Sequence, residues 1–126
     1  MKKDIGSKMD IELLVNSFYE KIKVDDMIGP IFTEVVKVNW EKHLPVMYRF
    51  WENSLFYTGT YDGNPMELHR HLHRVIPLSA EHFKRWTTLF TATVDELFEG
   101  KTATLAKQRA ISIAAVMEIK ILLPGS

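Results

Sequence analysis

Five histidines, His43, His69, His71, His73 and His82, carry most of the metal-binding potential of this 126-residue chain. Three of them fall within the run His69-Arg70-His71-Leu72-His73. On a helix, His69 and His73 stand one turn apart and share a face, while His71 points largely away. Spacing alone leaves three readings open: solvated surface histidines, a zinc pair, or one axial imidazole for a haem iron. The zinc reading lacks the neighbouring glutamate of an HExxH helix and any thiolate. The haem reading needs only one imidazole, from a helix packed against an apolar slot. Aromatic residues for such a slot are plentiful (Phe18, Tyr19, Phe32, Phe50, Trp51, Phe83, Trp86 and Phe90), although an aromatic stripe at helical spacing also serves as plain core.

Tyr19 and Trp86 add polar hydrogens to this apolar set. Tyr19 follows Phe18 in an apolar stripe that turns the phenol inward, and a buried hydroxyl needs a partner. Trp86 lies on an inward helix face with an indole N–H to satisfy. Each can bond a backbone carbonyl at a helix end, or both can be aimed, with His43, at a bound ligand. Other chemistries find little support. The chain has no cysteine, which excludes disulfides, thiolate metal sites and a cysteine nucleophile. Neither GxGxxG nor GxxxxGK[ST] occurs, and there is no GxSxG elbow. Asp25-Asp26 reads as a solvated or capping pair in a turn, and residues 101–109 as a solvated polar face.

The elements that must position these residues are helical. Asp10 caps a first helix with Ile11, Leu14, Val15, Phe18 and Ile22 on one stripe, and Gly29-Pro30 breaks the chain after it. Residues 38–57 form a second helix carrying Trp40, Leu44, Met47, Phe50, Trp51 and Leu55, with Pro45 near its start, where a missing amide costs little. A loop over residues 59–64 leads to a short helix that opens at Pro65 and ends by Pro77. Ser79 caps a third long helix with Phe83, Trp86, Phe90, Val94 and Leu97 on one face, closed by Gly100. Thr102 opens the last, with Leu105, Ile111, Ala114, Met117 and Ile121, ended by Pro124-Gly125. The prediction is all-α, one domain over residues 1–126, with about 1–9 as an N-terminal extension and 122–126 as a tail.

At 46% hydrophobic and 25% charged residues the chain is a typical globular domain. Sixteen Lys and Arg balance sixteen Asp and Glu, which argues against nucleic-acid binding and against an anionic membrane surface. No secretory signal and no apolar run of membrane-span length is visible, so the expected location is the cytoplasm.

The order of motifs resembles a truncated haemoglobin. Phe18-Tyr19-Glu20-Lys21, Ile28-Gly29-Pro30-Ile31-Phe32, Trp40-Glu41-Lys42-His43 and Phe50-Trp51 follow the family in sequence. The run Tyr61-Asp62-Gly63-Asn64-Pro65-Met66, with His69 three residues on, and His82-Phe83-Lys84-Arg85-Trp86 are similar to its third group. The other groups' paired glycines after the first helices are missing here, as in that group. The resemblance covers about residues 10–120 and implies a shortened globin fold, a two-over-two helical sandwich around haem b. It puts Tyr19, His43 and Trp86 on the distal, ligand-binding side and stacks Phe32 on the porphyrin. Met47, Phe50 and Trp51 then lie along the haem edge. Two residues compete as proximal iron ligand. Counting forward from Trp51 gives His69, the preferred reading; counting backward from Trp86 gives His73.

That resemblance implies binding of dioxygen, nitric oxide or other small haem ligands, retained tightly by polar distal hydrogens. The same site suits a redox enzyme of nitric oxide dioxygenase or peroxidase type working with an outside reductase. A haem-free helical interaction module is the remaining alternative.

Overall fold

The computed structural model describes residues 2–31, 39–56 and 79–122 and forms four helices there: α1 (Lys8–Lys23), α2 (Trp40–Phe56), α3 (Ala80–Leu97) and α4 (Lys101–Leu122). Among the described residues no helix is long and apolar enough to cross a membrane.

The apolar stripe expected of α1 is its core face: Ile11, Leu14, Val15, Phe18 and Ile22 are all buried. Its cap is not Asp10 but Ser7, whose hydroxyl accepts from Asp10 N–H at 3.3 Å. Asp10 sits in the first turn instead. Its carboxylate accepts from Gly6 N–H at 2.9 Å and pairs with Lys3 at 2.8 Å, the favourable place for a negative charge at a helix start. The helix therefore begins earlier than the stripe suggests.

α2 starts at Trp40, where the Asn39 carbonyl accepts from Lys42 and His43 N–H. Pro45 is then its sixth residue and lies inside the helix, not in the opening turn. It deprives the ladder of the N–H that would reach the Glu41 carbonyl. α3 follows Ser79 as predicted, and the His82 Nδ1 accepts from Ser79 N–H at 3.0 Å.

Gly100 does not close α3, which ends at Leu97 with an extended Phe98. With φ at 136° it opens α4, its carbonyl accepting from Thr104 N–H. A Cβ there would lie 2.5 Å from Asp4 Cγ. Only glycine lets the Asp4 carboxylate accept from Thr102 and Ala103 N–H at 2.9 and 2.8 Å, capping α4. The N-terminal segment is thereby strapped onto the bundle, with Lys3 C=O accepting from Glu99 N–H and Ile5 in the core.

Of the stripe expected of the last helix, Ala114 and Met117 are buried and Leu105 packs against the core, but Ile111 is 52% exposed. The buried side also carries Ala103, Ala106 and Ala110. These alanines let the neighbouring helix approach closely. α3 packs on α4, while α1 packs on both α2 and α3. At the centre Phe90 lies edge-on to Phe18, centroids 5.2 Å apart, and stacks on Trp51 at 4.6 Å.

A buried carboxylate joins α1 to α3. In the turn after α1, Asp25 Oδ2 accepts from Met27 and Ile28 N–H at 3.1 and 3.0 Å. Its Oδ1 accepts from Arg85 Nε at 2.7 Å and pairs with Nη2. Asp25 is thus a turn-capping residue, but a buried one. Burial pushes its carboxyl up; the Arg85 hydrogen bond, the two N–H donors and the Arg85 charge outweigh this and hold it below its ordinary value. The folded chain therefore holds this proton more weakly than the unfolded chain. Its stabilising contribution is complete above the unfolded carboxylate pKa and fades as pH falls through the lower, folded one. Asp25→Ala should cost roughly 2–3 kcal/mol, measured by urea unfolding at neutral pH, because two N–H groups lose their acceptor and a half-exposed guanidinium its partner. Between about pH 5 and pH 3 the variant should lose less stability than the parent.

Candidate functional site

Polar chemistry concentrates where α1 crosses α2. Tyr19 points inward beside Phe18 and is 6% exposed. Burial pushes its phenol well above the ordinary tyrosine range, so the hydroxyl stays protonated. Its partner is His43 in the first turn of α2, with Nε2 3.1 Å from the phenol oxygen. The rings meet nearly at right angles, centroids 5.2 Å apart and 82° between planes. Two of the three distal residues expected from the sequence are therefore brought together directly.

One hydrogen lies between those two atoms, and its origin decides what the pair offers a ligand. If His43 Nε2–H donates to the phenol oxygen, the Tyr19 O–H is not spent on the imidazole. In the other tautomer the O–H is occupied by the imidazole. Tyr19 and His43 thus act as one coupled donor, not as two independent ones.

Trp86 is the third. It is half-buried on α3, edge-on to Phe18 at 5.6 Å and parallel to Phe90 at 5.8 Å. Phe18 touches the Tyr19 ring as well, at 5.0 Å, so one phenylalanine spaces the two donor-bearing residues. Met47 and Phe50 of α2 are half-buried against the same core, with Leu44 and, on α3, Leu89. Met47 and Phe50 stand four and seven residues after His43, so helical spacing lines its face of α2 with an apolar wall. Trp51 is placed differently: it is buried and stacked on Phe90, as a core residue between helices. Phe32, His69 and His73 lie outside the described residues.

Two residues not assigned to the site by sequence adjoin it. Trp40 meets Tyr19 at 5.3 Å and His43 at 5.9 Å, and the Lys23 ammonium sits 4.7 Å above the Trp40 ring. Helical spacing carried a faint signal for both. Trp40 precedes His43 by three residues, and Lys23 follows Tyr19 by four, so each shares its neighbour's face. Only the helix crossing shows that the two faces meet.

Comparison with known proteins identifies the family and the fold. The bacterial-like globin family model matches residues 3–120. The chain is 30% identical over 118 residues to a group 3 truncated haemoglobin of Campylobacter jejuni, covering 91% of each chain. It also superposes on the crystal structure of a group III truncated haemoglobin from Campylobacter jejuni with a TM-score of 0.86, at 28% identity, over 100% of this chain and 99% of that one.

Proposed function

We propose that this chain, which belongs to the bacterial-like globin family, binds one haem b and holds small diatomic ligands, dioxygen among them, against the Tyr19–His43 pair. The observation that carries the reading is that pair itself: a protonated, buried phenol hydrogen-bonded to an imidazole beside a half-buried apolar wall. The residues present fit a porphyrin on this side. Leu44, Met47, Phe50, Trp86 and Leu89 offer apolar surface still partly uncovered, and the donor set suits a polarised ligand and not a cation. Haem, when bound, would supply the iron that takes up the diatomic ligand.

The chain's own contribution is to hold hydrogens at that position. Burial keeps the Tyr19 proton on its oxygen, and His43, donating through Nε2–H, leaves the phenol O–H turned toward the ligand. Phe18 spaces Trp86 from Tyr19, so an indole N–H serves the same region from α3. With a porphyrin seated on it, the apolar wall would exclude water and make each such bond stronger than it would be in solvent. Donation to a ligand carrying partial negative charge favours retention over rapid exchange. We assign the iron ligand to His69, with His73 as the rival, as the family resemblance implies.

The test of haem b is its colour. The purified protein should show a Soret band with one haem per chain, and acidified butanone should extract it completely because no cysteine is present for thioether attachment. Pigment left on the protein would rule out haem b.

Tyr19→Phe should speed dioxygen release at least tenfold in stopped-flow measurements while haem stays bound. It removes one oxygen atom and its hydrogen bond, about 1.4 kcal/mol or more for a charge-assisted bond. A rate within twofold of the parent would remove Tyr19 from ligand retention.

His69→Gly should abolish the five-coordinate ferrous spectrum, and added imidazole should restore it by filling the vacated position. His73→Gly should leave the iron–histidine stretch in resonance Raman nearly unchanged. Rescue seen for His73→Gly alone would exchange the two assignments.

A further inference from the structure

Trp40 has no role in the reading above, although it stands three residues before His43 and touches both members of the pair. Three rings meet there, each against the other two: Tyr19 with His43 at 5.2 Å, Tyr19 with Trp40 at 5.3 Å, and Trp40 with His43 at 5.9 Å. All three are steeply tilted, at 82°, 59° and 78°, which is the attractive arrangement for aromatic quadrupoles. Outside this cluster the Lys23 ammonium lies over the Trp40 ring and is held by Glu20 at 3.1 Å. Tyr19 and Lys23 are one turn apart on α1; Trp40 and His43 are one turn apart on α2. The hydrogen bond and the cation–ring contact are therefore successive rungs of a single helix crossing.

The backbone of His43 is held, its N–H donating to the Asn39 carbonyl at 2.9 Å, but that bond does not fix the ring. The imidazole is only half-buried. Contacts with Tyr19 and Trp40 are therefore among those that set its orientation.

We propose that Trp40 is a positioning residue for His43, bracing the imidazole against Tyr19, and that Lys23 latches this brace from α1. The proposal rests on the assignment of the Tyr19–His43 pair to ligand retention, but the bracing can be measured without any ligand. With the brace in place, His43 stays on the phenol and the Tyr19 O–H stays aligned. Without it, the imidazole spends more time turned to solvent, and the site opens.

Diethyl pyrocarbonate footprinting of the full chain, read by peptide mass, tests this. His82 on α3 serves as an internal reference, being half-buried and fixed by Ser79 N–H. The ratio of His43 to His82 labelling should rise roughly three- to tenfold in Trp40→Leu and about two- to fivefold in Lys23→Met. Lys23→Arg, which keeps a cation over the ring, should restore the parental ratio. In haem-loaded protein, carbon monoxide rebinding after flash photolysis should quicken by a similar factor. If Trp40→Leu does not fold, Lys23→Met decides, since that side chain is 30% exposed and leaves the core intact. An unchanged ratio in Lys23→Met overturns the proposal. So does an equal rise at both histidines, which would report general loosening. If the chain takes up no haem, the ligand-retention reading fails, while the labelling ratio still decides the brace.

Discussion

A phenol hydroxyl buried inside a helix contact must have a polar partner, and meeting that demand for Tyr19 fixes how α1 and α2 cross. An unpaired hydroxyl there would cost on the order of 1–3 kcal/mol, comparable to a core methylene or more. His43 meets the demand from α2, and the remaining polar contacts fall into line on either side. Tyr48 O–H donates to Asn16 Oδ1, Tyr19 bonds His43, and Lys23 covers Trp40. Residue numbers rise along α1 as they fall along α2, so the three rungs define an antiparallel register. A shift of one turn would break all three together.

The relation of α1 to α3 is fixed from the helix ends. Gly29 lies so close to the exposed end of α1 that a Cβ would come within 2.7 Å of the Ile22 carbonyl oxygen. The chain can therefore fold back tightly, and Asp25 is carried into the interior beside Arg85. Arg85 immediately precedes Trp86. The ion pair and the Phe18–Trp86 contact thus hold one short stretch of α3 against one helix end, with Lys21 and Glu96 paired at 3.0 Å on the exposed edge. The separation between the donors of α1 and α3 is thus set by contacts outside the Tyr19–His43 pair.

Much of this was legible in the sequence, and what was not has a physical cause. The stripe of α1 could be read because its buried face is made of large apolar residues flanked by charge. The inward turn of Tyr19 followed from the same stripe. Its first turn could not be bounded so well, because Ser7 and Asp10 are both competent caps and only the path of the preceding strap chooses between them. In α4 one large residue misleads. Ile111 is exposed while Ala106 and Ala110 are fully buried, since the close contact selects for small size and not for hydrophobicity. Asp25 looked like a turn residue and is one, but its partner lies 60 residues away. No periodicity spans that distance. Trp40 and Lys23 were hidden for the same reason: each has the right spacing to its neighbour, and only the crossing joins them.

The packing divides the molecule unevenly. Alanines line the buried face of α4, where helices can draw close, and the large rings Phe18, Tyr19, Trp51, Phe83, Trp86 and Phe90 gather among α1, α2 and α3. Opposite these alanines, buried Thr93 of α3 satisfies its hydroxyl within its own helix, donating to the Leu89 carbonyl at 2.7 Å. The aromatic side is bulkier, and several of its members, Trp40, Met47, Phe50 and Trp86, are only half-covered. A flat apolar group seated there would complete their burial, at about 25 cal/mol for each Å² of apolar surface removed from water. The same rings that would bind it also carry and brace the few hydrogens that would face its ligand. Affinity for the group and polarity toward its ligand would thus come from one aromatic cluster, with the polar atoms confined to its tips.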